Sequence, residues 1–121
     1  MERTRVDYLD RQVLDAERRR EKLAGERALL DLIRSAGQLA RADLPRASGL
    51  SVPGTKGIID PLVAHGLLQL GPSLRRGRGQ PSVELSLVPD YAFSVGVSLM
   101  VDGIAVVLID FAGQVRGMRQ L

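Results

Sequence analysis

The sequence has no cysteine and a single histidine, His65. Disulfides, thiolate metal ligands, cysteine nucleophiles and multi-histidine metal sites are therefore excluded. No pair of carboxylates, serine–histidine set or phosphate-binding loop stands out, so we expect no catalytic residues, no enzyme activity, no cofactor and no metal. His65 stands beside a glycine that ends a helical segment, which is typical of a surface residue or of a charge complement at a helix C-terminus.

Long apolar runs are also missing from the sequence. The longest of them, residues 104–109, is far too short to cross a membrane. The charged N-terminal residues 1–24 lack the apolar run of a signal peptide. We therefore expect a soluble, cytoplasmic protein with no membrane partner.

The composition is that of a globular protein with a modest basic excess. The chain has 121 residues, 45% of them apolar, which is enough for one ordinary domain or for a small domain plus a fragment. Its net positive charge favours a polyanionic partner. Because the charge is only +3, the placement of the charged residues matters more than their sum. Only Lys22 and Lys56 are lysines, and we attribute the chain-wide arginine bias to genome composition.

Two helices are predicted before residue 37. Residues 1–24 are mostly charged, with a narrow apolar stripe formed by Val6, Leu9, Val13, Ala16 and Leu23. A short helix of this kind needs a partner surface, and two interpretations stay open: packing on its own domain, or dimerisation. A second helix is predicted from Gly25 to Ala36, and Gly37 ends it.

A helix-turn-helix pattern follows. Residues 41–47 offer two apolar side chains to the core, residues 48–51 (SGLS) predict a tight turn, and residues 52–65 form a helix. Ser51 is the expected N-cap, which would leave free backbone amides near a DNA phosphate. Thr55 and Lys56 are predicted to lie opposite the apolar face, where they would reach bases or phosphates. Pro61, inside the helix, is expected to kink it and to leave it weak or bent until DNA or a partner orders it.

From residue 67 onward, the spacing of apolar residues changes from that of helices to that of strands. Residues 67–70 predict a short strand, residues 71–80 form a basic loop with Arg75, Arg76 and Arg78, and residues 83–87 alternate as a half-buried strand does. Helix, helix, turn, helix, strand, basic loop and strand is the order of a winged helix-turn-helix, which we assign to residues 25–88. The basic loop is its expected wing, suited to phosphates or a narrow minor groove. The candidate DNA-binding residues are Arg41, Arg46, Ser51, Thr55, Lys56, Arg75, Arg76 and Arg78.

Residues 89–121 predict a three-stranded antiparallel meander. Apolar runs at 93–100 and 104–111 flank Asp102-Gly103, a strong hairpin signal, and a second turn at Ala112-Gly113 leads into the last strand. Residues 104–109 are apolar throughout, so both faces of this strand require cover that the remaining chain cannot supply. We therefore expect an α+β protein whose C-terminal part is the truncated start of a larger domain.

The chain resembles the N-terminal region of the ROK family (repressor, open reading frame, kinase) over roughly residues 25–117. The segments that carry the resemblance are RADL at 41–44, SGLS at 48–51, HGLL at 65–68, GRGQP at 77–81, FSVGVSL at 93–99 and VLIDFAGQV at 107–115. The resemblance implies a sugar- or metabolite-responsive regulator, usually oligomeric, whose effector domain is actin-like (ribonuclease H-like). The first strand, Val95–Met100, lacks the acidic, glycine-rich phosphate loop of the family's sugar kinases, which favours the regulator branch.

These observations predict a sequence-specific transcription regulator of the ROK kind, a repressor or an activator, truncated before its effector site. Its expected partners are double-stranded DNA and a second copy in a homodimer, and a sugar effector is expected only for a full-length member. Two alternatives remain: a fragment of a sugar-kinase-branch protein, and a winged-helix module that binds another protein. Loss of a DNA mobility shift at high salt would distinguish DNA binding from the protein-interaction alternative.

Overall fold

The computed structural model describes residues 2–74 and 82–121, with side chains described for residues 10–72 and 82–121. The helices are α1 (Glu2–Ala36), α2 (Leu44–Ser48) and α3 (Val52–Ala64), with short 3-10 helices at Arg41–Asp43 and Pro89–Tyr91. The strands are β1 (Leu39–Ala40), β2 (Leu68–Leu74), β3 (Ser82–Leu87), β4 (Phe93–Met100), β5 (Gly103–Asp110) and β6 (Val115–Gln120). The predicted mixture of helix and sheet, an α+β fold, is confirmed.

The predicted helix break at Gly25 is wrong, because α1 runs without interruption from Glu2 to Ala36. A glycine inside a helix costs about 1 kcal/mol relative to alanine, so the sequence suggested a boundary there. The tertiary structure gives this glycine a role in packing. A Cβ atom built on Gly25 would come within 3.1 Å of Ile58 Cδ1, so the missing side chain lets α1 approach α3 closely.

The core lies between the C-terminal part of α1, the two shorter helices and one face of the first sheet. Leu29, Ile33, Leu44, Ile59 and Leu85 are fully buried there, joined by Leu62, Leu68 and Leu87. Their burial follows the helical spacing of α1 and α3 and the two-residue alternation of β3. By contrast, every residue from 10 to 24 is exposed, so of the two open interpretations of this segment, packing on its own domain does not hold for these residues.

The first sheet has the strand order β1-β3-β2, and every pairing in it is antiparallel. Leu39 and Ala40 of β1 pair with Leu85 and Glu84 of β3, so the segment that follows α1 forms the third strand beside the hairpin. The β2–β3 register shifts between Leu70 and Ser73, around Gly71-Pro72. Strand β2 extends to Leu74, four residues beyond its predicted end.

The second sheet is an antiparallel meander in the order β4-β5-β6, which confirms the predicted three strands. The turn predicted at Asp102-Gly103 lies one residue earlier, at Val101-Asp102, because Gly103 already pairs with Met100. One of its faces is largely uncovered: Val95, Val97 and Leu99 are 64, 63 and 79% exposed. Their neighbours Ile104 and Leu108 on β5 are 39% and 37% exposed. Within the described part of the chain, no helix has both the length and the apolar character needed to cross a membrane.

Candidate nucleic-acid interface

The turn between α2 and α3 depends on a left-handed glycine. Gly49 has φ +74° and follows α2 as its C-cap, and its N–H donates to the Pro45 carbonyl at 2.9 Å. Side chains are strained at such a φ, which accounts for glycine at this position. The Ser48 hydroxyl accepts a hydrogen bond from the Leu50 N–H at 3.2 Å. Only Gly49, Leu50 and Ser51 connect the two helices, and α3 starts directly afterwards.

Ser51 caps α3, as its sequence predicted. Its backbone is extended (φ −68°, ψ 162°), and its hydroxyl accepts a hydrogen bond from the Gly54 N–H at 3.0 Å. Pro53 occupies the first turn, where its missing N–H leaves no broken helix bond. The first turn of α3, with the positive end of its helix dipole, is therefore ordered and exposed at Ser51 and Val52.

Lys56 and Thr55 lie on different sides of α3. Lys56 is exposed, as expected. The expected orientation of Thr55 is wrong: it is only 6% exposed, and its hydroxyl donates to the Val52 carbonyl at 2.8 Å. Thr55 precedes Ile59 by four residues and Leu62 by seven, so helical periodicity places all three on the buried face. The same spacing in the sequence would have revealed this.

The two other arginines predicted to bind DNA in this region are engaged in ion pairs. The Arg41 guanidinium donates a hydrogen bond to the Asp60 carboxylate of α3, and both side chains are partly exposed. Arg46 is the more open of the two, with an 89% exposed side chain, and its nearest carboxylate oxygen, on Asp43, is 3.8 Å away. The Arg41–Asp60 pair was missed by the sequence analysis, because it joins residues 19 positions apart that only the fold brings together.

A groove of about 440 Å³ lies where the 3-10 segment before α2, the first turns of α3 and the start of β3 meet. Leu44, Val52 and Ile59 contribute its apolar wall, and Arg41 and Lys56 also line it. Ser82 of β3 lines it as well, and its hydroxyl accepts a hydrogen bond from the Ala42 N–H at 3.3 Å. Two cationic side chains from separate elements thus border one concave surface.

The hairpin β2–β3 is antiparallel, and its outermost described pair is Leu74 with Ser82. Arg75, Arg76 and Arg78, the arginines of the expected wing, lie between these two residues in the sequence and outside the described residues. The structure therefore brings Arg41, Thr55 and Lys56 together in the lining of one groove, with Thr55 only 6% exposed. Ser51 caps α3 next to Val52, a further residue of the groove, whereas Arg46 does not line it.

His65 ends α3. Its backbone N–H donates to the Pro61 carbonyl at 2.9 Å, and its ring Nδ1 lies 2.7 Å from the same oxygen. A carbonyl only accepts hydrogen bonds, so Nδ1 carries the proton and donates. His65 therefore caps the C-terminus of α3 through hydrogen bonds from its backbone and its ring. Among the described residues, no group of three or more histidine, cysteine or acidic side chains could hold a metal ion.

A polar cluster at one end of the second sheet has a structural role. The Asp110 side chain accepts a hydrogen bond from the Gln114 N–H at 2.9 Å, and Arg116 donates to it at 3.1 Å. Hydrogen bonding to Gln114 and then to Arg116 holds the Asp110 pKa below its ordinary value, although burial opposes the shift. Arg116 also contacts Asp90 at 3.1 Å, and its pKa is raised by these carboxylates. The cluster secures the turn between β5 and β6.

Comparison with known proteins adds little to this description. No family model matches the chain. A segment of 32 residues is 75% identical to part of the chromosome partition protein Smc of Xanthomonas oryzae pv. oryzae (strain KACC10331 / KXO85). The segment is 26% of this chain, and the match spans only 3% of that protein.

Proposed function

We propose that the protein is a sequence-specific DNA-binding transcription regulator that uses a winged helix-turn-helix. The observation that carries the proposal is the connection between α2 and α3. A left-handed Gly49 turns the chain, Ser51 caps the following helix, and Lys56 projects from its exposed side. A helix placed in this way can enter the major groove while the preceding helix contacts the backbone.

The arrangement of the first sheet supports the same proposal. The β2–β3 hairpin follows the three helices in the chain, and strand β1, which lies between α1 and α2, pairs with it in the order β1-β3-β2. This is the strand arrangement expected when a hairpin forms the wing beside a recognition helix. Three arginines then belong to the sequence that joins the two strands, at positions 75, 76 and 78. Such a cluster is suited to phosphates or to the negative potential of a narrow minor groove.

Residues 89–121 fit the proposal as the first strands of a larger effector domain. The face formed by Val95, Val97 and Leu99 is too exposed and too apolar for a finished domain surface. By its sequence resemblance to ROK regulators, the larger domain would be actin-like and would bind a sugar or related metabolite. The protein would then regulate sugar or metabolite genes in the cytoplasm as a homodimer.

Fluorescence anisotropy with labelled genomic DNA fragments tests the proposal. We expect binding that weakens steeply as salt rises, because Lys and Arg contacts release counterions from phosphates. Lys56→Ala should weaken binding without destabilising the fold, since exposed substitutions change the free energy of unfolding by less than ~0.5 kcal/mol. Lys22→Ala is the matched control, because it removes the chain's other lysine, which is exposed on α1 and does not line the groove.

The triple change of Arg75, Arg76 and Arg78 to alanine tests the wing. If all three contact phosphates, the slope of log affinity against log salt should fall by up to about 2.7. Equal DNA affinity for Lys56→Ala and Lys22→Ala, together with an unchanged salt slope for the triple variant, would contradict the proposed interface. Absence of any salt-sensitive binding would favour a protein-interaction module instead.

A further inference from the structure

Residues 10–24 of α1 have no cover from their own domain. All 15 residues from Asp10 to Ala24 are exposed, whereas Leu29 and Ile33 further along the same helix are fully buried. At about 1.5 Å per residue, this exposed stretch extends roughly 22 Å along the helix axis. An isolated helix of that length is marginal in water, so packing against a second surface would stabilise it.

The exposed stretch carries a coiled-coil stripe. Val13, Ala16, Arg20 and Leu23 follow one another at intervals of three, four and three residues, the spacing of a and d positions in a heptad. Val6 and Leu9 continue the same spacing in the sequence. Val13 and Leu23 are each 56% exposed, so the stripe is open to a partner.

The stripe and the core face lie on different sides of α1. At 100° per residue, Leu29 is rotated about 160° from Val13 and Ile33 about 200° from it. The helix therefore packs on its own domain with one side and presents the heptad stripe on the other. A partner helix on the stripe would not compete with the core contacts of Leu29 and Ile33.

We propose that a second copy of this chain occupies the stripe, as an antiparallel two-stranded coiled coil. Arg20 decides the orientation. A parallel, in-register pair would place the two Arg20 side chains opposite each other across the seam, where like charges repel. An antiparallel pair centred between Val13 and Ala16 instead places Arg20 opposite position 9 of the second copy and next to its Asp10, with Glu17 three residues before Arg20 on its own helix.

The antiparallel register is self-complementary. Its two-fold axis passes between Val13 and Ala16, so Val13 of each copy faces the small Ala16 of the other. The same axis brings Arg20 opposite position 9 and Leu23 opposite position 6 of the second copy, so the approach of Arg20 to Asp10 occurs once on each side of the axis. Leu29 lies about 14.5 residues from the axis, so the two domains are held roughly 44 Å apart along the coil. This inference does not rest on DNA binding.

Disulfide trapping on the full chain tests the orientation, because the protein has no cysteine of its own. Equal amounts of Val13→Cys and Ala16→Cys are mixed and oxidised with glutathione, and the products are identified by mass. We expect the mixed Val13–Ala16 disulfide to predominate, since only this pair is directly opposed. Predominance of the Ala16 homodisulfide would indicate a parallel pair and overturn the proposal. Arg18→Cys, whose side chain is directed away from the stripe, is the control and should not cross-link.

Sedimentation equilibrium tests the stripe independently of cross-linking. Val13 and Leu14 are adjacent and similarly exposed, at 56% and 52%, but Leu14 is rotated about 100° away from Val13 and off the stripe. Val13→Asp should raise the dimer dissociation constant by about tenfold or more, whereas Leu14→Asp should leave it nearly unchanged. A monomeric wild-type chain would overturn the proposal. Equal dimerisation of the two variants would overturn it as well, because the chains would then associate through another surface, such as the exposed face of the second sheet.

Discussion

Substitutions at Ser51 can distinguish two roles of this residue: stabilising α3 as its N-cap and lying at the proposed contact of α3 with DNA. Ser51→Ala removes the hydroxyl that accepts the Gly54 N–H at 3.0 Å and leaves that donor to water. Loss of a serine N-cap to alanine costs about 1 kcal/mol, or roughly a fivefold change in the unfolding equilibrium constant. Because α3 carries Ile59 and Leu62 into the core, the loss should appear in global unfolding.

The assay is urea unfolding followed by circular dichroism, with two further variants at the same position. Ser51→Gly should lose only a few tenths of a kcal/mol, because glycine is itself tolerated at the N-cap. Ser51→Asp should keep wild-type stability, since its carboxylate accepts the same N–H and interacts favourably with the helix dipole. The aspartate variant should nevertheless lose DNA affinity, because it places a negative charge where a phosphate is proposed to bind.

Two results would refute this reasoning. If Ser51→Ala unfolds at the same urea concentration as the wild type, the cap does not contribute to the stability of the folded state. If Ser51→Asp is stable and binds DNA as tightly as the wild type, the start of α3 does not face the phosphate backbone. A Ser51→Asp variant that is both stable and deficient in DNA binding would support both parts together.

Three further predictions concern single side chains. Thr55→Val keeps the shape of a buried side chain but removes its hydrogen bond to the Val52 carbonyl. It should lower the free energy of unfolding by about 1 kcal/mol at most and leave DNA affinity unchanged. A selective loss of DNA affinity would contradict the buried orientation. Pro61→Ala restores an N–H that can donate to the Gly57 carbonyl inside α3. The free energy of unfolding, measured by thermal and urea unfolding, should rise by about 2 kcal/mol. A destabilised variant would show that the helix does not benefit from this hydrogen bond. Asp110 has a lowered folded-state pKa, so its contribution to stability is complete above the unfolded value of about 3.9 and disappears as the pH falls through the lower folded value. Asp110→Asn should therefore lose less stability on acidification than the wild type, and identical acid profiles would show that Asp110 does not couple folding to pH.

The order of helices, turn, strands and hairpins could be predicted from the sequence because each depends on contacts close along the chain. Gly49 and Ser51 mark the turn and the start of α3 through backbone conformation and a hydrogen bond spanning three residues. The meander of β4, β5 and β6 follows from apolar runs separated by turn residues. The candidate residues Ser51 and Lys56 were placed correctly at the exposed start of α3 for the same local reason.

The tertiary structure alone decided the features that depend on distant residues. Helix α1 continues through Gly25 because α3 packs there so closely that a side chain on Gly25 would crowd Ile58, a contact that no local pattern contains. Arg41 is paired with Asp60 because the packing of α3 brings the carboxylate to it. Strand β1, only two residues long, exists because β3 offers it hydrogen-bond partners. Local periodicity sets which residues form an element, but the choice of neighbours, and hence which charges stay open to a ligand, is made by packing between elements.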